Sequence, residues 1–295
     1  MKKIILCAYP RAGLANKLLV LAKCHVKAYE SDAIVVETSF AQLPLFSAIR
    51  NFRQPRIYLC CPIQTELLRP CFWTLLYELR LSRIVFRPFR HFLQLETIDY
   101  FDSYPLYANP YVDLTSDNTG EVAKTVLRKR LGLSSSIIEN SRNHGICTAA
   151  IHIRLGDFKT SADGHIRPNT RMPLNYYTDL IKTLVSFYVK TALPWRINVY
   201  TDEPAVVRRL IPDLKGIEVC SGNPFEDFVA LVESDVLAPT PWSTFSGLAA
   251  HLSMNKVIVL PEQLHFQFRD NKDLVISSPS GLNSALNEYY SKSLR

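Results

Sequence analysis

The chain contains no DxD, no HExxH and no CxxC pair, and it has neither a GxGxxG fingerprint nor a GxxxxGK[ST] loop. Metal bridging of a diphosphate, zinc-protease chemistry and the dinucleotide and P-loop modes of phosphate binding therefore have no support in the sequence. The GxSxG elbow is absent as well, so no serine-hydrolase triad can be assigned. The seven cysteines are an odd number, single except for Cys60 and Cys61, and show no metal-ligand spacing, which fits a reduced, cytoplasmic chain. No apolar run approaches the roughly 20 residues that a membrane-spanning helix needs. The run after Lys2 and Lys3 meets Pro10 and Arg11 too early for a signal-peptide core, and reads as a first strand. Internal repeats and low-complexity tracts are lacking too.

What is present is an apolar content of 47% over 295 residues, enough for a sizeable core in one large domain or two ordinary ones. The formal charge is +7, and most of the excess lies between Arg50 and His91, where eight arginines and no lysine face only Glu66 and Glu78. Aromatics interleave with these arginines in LRPCFWTLLYELRLSRIVFRPFRHF. Such a block is either a solvated basic face over a core helix or a grip for anionic lipid headgroups, phosphorylated acceptors or nucleic acid. The use expected for Arg50 to Arg90 is peripheral contact with the inner face of a membrane, with no nucleic-acid partner.

Helical and strand patterns alternate almost to the end, which predicts an α/β protein with mostly parallel sheets. KKIILCAY reads as a strand, then a helix from about Asn16 to Tyr29 places Leu18, Leu19, Ala22 and Val26 on one face. AIVVET and RIYLCC read as further strands, and a charged helix from about Glu121 to Leu131 has Asn118 or Thr119 as its N-cap. The polar stretch SSSIIENSRNHG is the best linker, dividing the chain into domains 1–144 and 145–295. Beyond it the alternation starts afresh. ICTAAIHIR, RINVYTD, IEVCS, DVLAPT and KVIVLP read as strands, with helices at PLNYYTDLIKTLVSFYVK, PAVVRRL, FEDFVALVES, STFSGLAAHLS and NSALNEYY. Sheets of this kind bind ligands beyond the carboxyl ends of their strands.

Chemistry-bearing residues collect at those ends. His152 and Arg154 are two apart, so a strand directs both to one face, and Gly156 and Asp157 begin the turn that follows. A guanidinium held on a rigid strand suits a phosphate oxygen; the plain alternative is a capping histidine, a surface arginine and a turn aspartate. Asp202, after NVYT, reads as the N-cap of the next helix or as a carboxylate orienting Arg154 or a sugar hydroxyl. Ser243, Thr244 and Ser246 gather at a helix start, where hydroxyls and free N–H groups suit an anion or simply cap the helix. Asp227 lies on a helix face, either solvated or able to accept from a purine's N–H edge. PRAGLANKL forms a strand-to-helix turn with Gly13 its lone glycine.

The blocks AGLANKL, HIRLGDF, VYTDEP and STFSGLAAHLS, in this order, resemble those of the fucosyltransferase superfamily. That superfamily includes glycosyltransferase family 11, the chitin-oligosaccharide fucosyltransferases and the protein O-fucosyltransferases. Leu155 stands where family 11 carries a second arginine. The resemblance implies a GT-B architecture of two Rossmann-like domains facing a central cleft, with GDP-fucose bound mainly by the second. It implies an inverting, metal-independent and cofactor-free transfer of fucose to a glycan hydroxyl, a galactoside 2-hydroxyl first. Arg154 would bind the β-phosphate, and His152 and Asp227 would contact guanine or ribose. Asp202, Ser243, Thr244, Phe245 and Ser246 would complete the nucleotide-sugar site, and Gly13 and Asn16 would border the acceptor and the diphosphate. Asp157 is the expected general base. The rival expectation is a non-catalytic protein that binds a nucleotide sugar or an anionic polymer.

Overall fold

The computed structural model describes residues 2–10, 12–38, 73, 93–98, 110–115, 117–133, 146–159, 170–191, 194–211, 215–220, 222–259, 274–275 and 279–293. The chain divides into two compact units, Met1–Leu133 and Ser134–Arg295. The expected linker begins at this division, eleven residues ahead of the boundary expected at 144, and its own residues lie outside the described ones. The strand expected at RIYLCC and nearly all of the arginine block also lie outside them.

In the first unit, β1 (Lys2–Cys7) is followed by α1 (Leu14–Ser31) and β2 (Ala33–Glu37), then by β3 (Leu93–Ile98). The three form a parallel sheet in the order β2-β1-β3, with Cys7 level with Glu37 and with Ile98. Leu18, Leu19, Ala22 and Val26 of α1 are buried as the helical period requires. The helix stops at Asp32, whose left-handed φ of 49° an aspartate tolerates better than most residues. A single-turn helix α2 (Val112–Thr115) and a longer helix α3 (Asp117–Arg130) follow, and α3 packs on α1. The charged helix thus starts a turn earlier than expected, so Asn118 and Thr119 lie inside it rather than at its cap.

The second unit contains β4 (Cys147–Ile153), α4 (Leu174–Thr191), β5 (Trp195–Thr201), α5 (Pro204–Arg208), β6 (Ile217–Cys220) and α6 (Pro224–Glu233). Then come β7 (Val236–Ala238), α7 (Thr244–Leu252), β8 (Lys256–Val259), β9 (Leu274–Val275) and α8 (Pro279–Ser293). All strand pairs are parallel, in the order β6-β5-β4-β7-β8-β9. Counted along the chain this is 3-2-1-4-5-6, the doubly wound dinucleotide-fold order, whose direction reverses between β4 and β7. The α/β class with parallel sheets is therefore the observed one.

Alternation along β4 decides what faces where. Ala149, Ile151 and Ile153 enter an apolar core with Leu180, Ile181 and Leu184 of α4 and with Leu282 and Leu286 of α8. Residues of the other parity, Ala150 and His152, look toward the opposite face, where His152 meets Phe245 and Ser246 of α7. Truncating a fully buried leucine such as Leu180 to alanine in a core of this kind costs about 2–5 kcal/mol. No helix among the described residues is long and apolar enough to cross a membrane.

Candidate active site

The backbone ladder between β4 and β7 ends at Ile151 opposite Ala238. Thr240 extends that seam with its side chain: its hydroxyl donates to the carbonyl of His152 at 2.5 Å and accepts from the amide of Arg154 at 3.1 Å. One hydroxyl thus bridges the two sides of the topological switch point just beyond the last paired residues. Pro241 and then Trp242, whose φ of 62° is in the left-handed region, turn the chain into α7. A residue held in that conformation is paid for by surrounding structure, and such strain gathers at ligand-binding turns.

His152 is buried and touches Ser246 Oγ through Nδ1 at 2.9 Å. Ser246 Oγ already accepts from the amide of Thr240 at 3.1 Å. Giving the Ser246 hydroxyl proton to Nδ1 satisfies both partners and leaves the ring proton on Nε2. Burial, reinforced by the Arg154 charge, lowers the His152 pKa to about 3, so the ring is a neutral donor at physiological pH. Its face rests against Phe245 with centroids 5.4 Å apart, and Phe245 in turn meets the edge of Phe228 at 5.2 Å.

Arg154 follows β4, with its guanidinium paired on two sides. Nε donates to Asp157 Oδ1 at 2.9 Å, and Nη1 lies 3.2 Å from Asp202 Oδ2. The two carboxylates differ in exposure: the Asp202 side chain is 9% accessible and that of Asp157 56%. Asp202 also accepts from the amides of Leu155 and Gly156, both at 2.9 Å. The N-cap of α5 is Glu203, not Asp202, so the carboxylate after β5 serves the neighbouring strand's turn. Gly156, which as a glycine could take backbone angles that other residues avoid, does not adopt a left-handed one. It is small because a Cβ there would meet Asp202 Oδ2 at 2.6 Å.

The helix-start cluster splits in use. Ser243 is the N-cap residue of α7 by backbone geometry, yet its side chain makes no capping bond. Thr244 and Phe245 are half-buried at the first turn. Ser246 is fully buried, and its hydroxyl lies between the Thr240 amide and His152 Nδ1. Asp227 stands in the first turn of α6, which Asn223 caps by accepting from the amide of Phe225 at 2.9 Å. Burial raises the Asp227 pKa to about 6, with an amide hydrogen bond from Gly222 opposing and the charge of Glu226 adding. Leu155 is buried in the α4 core, so a longer polar side chain at that position would have no ligand face to occupy. Arg171, unflagged in the sequence, donates to carbonyls of the same turn. Among the described residues no group of three or more His, Cys, Asp or Glu stands ready for a metal.

In the first unit, Gly13 is the N-cap of α1 with φ −64° and ψ 166°, angles open to any residue. Asn16 lies in the first turn, its Oδ1 buried and without a partner among the described residues. Nearby, Glu37 accepts from Tyr9 Oη at 2.7 Å and pairs with Arg130.

No protein-family model matches the sequence, and no curated protein matches it. The chain is similar to solved structures at the level of overall fold. These include the ADP-heptose lipopolysaccharide heptosyltransferase II of E. coli, 13% identical with TM-score 0.48, covering 100% of both chains. The fucosyltransferase NodZ from Bradyrhizobium is 12% identical with TM-score 0.44, covering 86% of this chain and 94% of that one. The UDP-GlcNAc 2-epimerase of Neisseria meningitidis, bound to UDP-GlcNAc, is 11% identical with TM-score 0.47, covering 99% and 93%.

Proposed function

We propose that the chain is a GT-B glycosyltransferase that takes its donor, a nucleotide diphosphate sugar with GDP-fucose first, at the strand ends of the second unit. The observation that carries this reading is the placement of Arg154. Its guanidinium leaves β4 at the reversal of strand order, set by Asp202 and Asp157 on a turn that a glycine allows to pack closely. The acceptor hydroxyl oxygen attacks the anomeric carbon on the face opposite the diphosphate, and the bond to the phosphate breaks with its electron pair leaving on GDP. Negative charge grows on the leaving phosphate as the sugar becomes cation-like, so a preset guanidinium stabilises the transition state more than the ground state. Neutral His152 adds an uncharged N–H donor, Ser243 and Thr244 add hydroxyls, and Asp227 accepts from the guanine N–H edge. Asp157 accepts from Arg154 Nε at 2.9 Å, and its side chain is 56% accessible. In this reading it orients the guanidinium and, as the proposed general base, takes the proton of the attacking acceptor hydroxyl. Gly13 and Asn16 stay with the acceptor side, and the acceptor is a glycan hydroxyl.

The test is a panel of GDP-fucose, ADP-heptose and UDP-GlcNAc read by melting temperature and by release of the nucleotide. A donor at 100 times its dissociation constant stabilises the fold by about 2.7 kcal/mol. Stabilisation by GDP-fucose with GDP release supports the reading. Stabilisation without release in the presence of glycan acceptors leaves a nucleotide-sugar binding protein, and no stabilisation by any member of the panel overturns the donor reading.

A further inference from the structure

The turn that carries Arg154 is tied on both edges of its backbone. On the amide edge, Asp202 accepts from Leu155 and Gly156. On the carbonyl edge, Arg171 Nε donates to the oxygens of Leu155 and Phe158, each at 2.6 Å, and Nη2 reaches that of Gly156 at 3.5 Å. Leu155 and Gly156 therefore have both amide and carbonyl engaged, by a carboxylate on one side and a guanidinium on the other. Arg171 is itself anchored: its amide donates to Lys159 O at 2.8 Å, beside an isolated parallel bridge between Lys159 and Thr170. Among the described residues no carboxylate pairs with it, so its charge is directed at the carbonyl dipoles of the turn.

We propose that Arg171 is a positioning residue for Arg154: with Asp202 it clamps the 154–158 turn so that the Arg154 guanidinium is already set when a diphosphate arrives. The inference rests on the reading of Arg154 as the diphosphate-binding group. A guanidinium suits this task because its fork reaches several acceptors in one plane, whereas a lysine offers a single point charge on a flexible stem. A guanidinium preset in this way loses less freedom when the anion binds. The site then needs no reorganisation as charge develops on the leaving phosphate.

The test compares the full-length chain with its Arg171→Lys and Arg171→Gln variants by amide hydrogen exchange and by titration with GDP and with guanosine. The expected result is faster exchange confined to Leu155–Phe158, with β4 and β5 unchanged. GDP affinity should fall on the order of 10- to 100-fold, while guanosine affinity stays the same because the base contacts are untouched. The lysine variant should fall between wild type and glutamine. Unchanged exchange in the turn overturns the clamp, as does a loss of GDP and guanosine together with faster exchange throughout the unit, which is general destabilisation. If Arg171→Gln does not fold, Arg171→Lys and Asp202→Asn, which loosens the opposite edge, carry the same comparison. If wild-type chain takes up neither GDP nor guanosine, the donor reading fails, and exchange in the turn decides the clamp by itself.

Discussion

The two units end their second parallel strand in the same way, on a carboxylate that reaches back to the exit of the first strand. In the first unit Glu37 closes β2 and accepts from Tyr9 just beyond β1, while Thr38 accepts from the Tyr9 amide and donates to Cys7 O. In the second unit Asp202 follows β5 and accepts from the two amides just beyond β4. Each carboxylate has an arginine partner and each arginine has a histidine within its field, His152 buried and His25 half-buried. Burial first and Arg130 second lower His25 to about 4, and burial first and Arg154 second lower His152 to about 3. The difference is where the arginine comes from. Arg130 arrives from the far end of α3 and serves to brace Glu37. Arg154 stands on the braced turn itself, at the reversal of strand order. The same latch is structural in one unit and, in the proposed reading, seats the diphosphate-binding arginine in the other.

Truncating each arginine in turn should break the comparison most sharply. Arg154→Ala should lower the rate of GDP release from GDP-fucose on the order of 100- to 1,000-fold with a small change in melting temperature. Arg130→Ala should do the reverse, costing roughly 1–3 kcal/mol of stability as Glu37 loses its charged partner, with donor binding retained. Denaturant titration and initial rates separate the two. Next in size is Gly156→Ala. The added Cβ would meet Asp202 Oδ2, so the turn must shift, costing about 1–3 kcal/mol and weakening GDP binding measured by calorimetry.

Acid should act on both histidines. Each has a folded pKa below its unfolded value of 6.5, so each binds its proton more weakly when folded. Their contribution is complete above about pH 6.5 and is lost as pH falls toward 4 for His25 and toward 3 for His152. His152→Gln should flatten the acid limb of the stability profile by up to about 1.4 kcal/mol per pH unit, the value of one proton. Asp227 has the opposite sign: its folded pKa of about 6 exceeds 3.8, so its stabilising protonation is lost as pH rises through that window. GDP affinity should drop below about pH 6, where a protonated Asp227 no longer accepts two N–H groups. Smallest in stability should be Asp157→Asn, because an ion pair this exposed is worth less than about 1 kcal/mol; its melting temperature should barely move.

The alternation of strands and helices was legible because β4, α4 and β5 have unambiguous periods; the expectation that His152 and Arg154 share one strand is corrected, because β4 ends at Ile153 and Arg154 opens the turn beyond it. Asp202 could not be resolved from its neighbours, since an aspartate before a helix has one local signature whether it caps that helix or crosses to the next strand. Thr240 and Arg171 were missed because their work is done at a distance: Thr240 bonds a residue 88 positions away, and Arg171 holds carbonyls of a turn that any backbone offers. Gly156 was noticed for its backbone freedom, but the reason for it is a carboxylate that arrives from 46 positions on. β3, LQLETI, went unread although Leu93 and Leu95 alternate with Gln94 and Glu96, because the alternation is short and follows directly on the arginine block that ends at Arg90. These are long-range contacts, which periodicity and capping rules do not encode.

The most direct measurement is the rate of GDP release from GDP-fucose by wild-type chain and by Arg154→Ala, in the presence of a galactoside acceptor. A wild-type rate that falls at least about 100-fold in the variant, with its fold intact by circular dichroism, is the predicted result. Equal rates in the two proteins would contradict the assignment of Arg154 to the departing diphosphate.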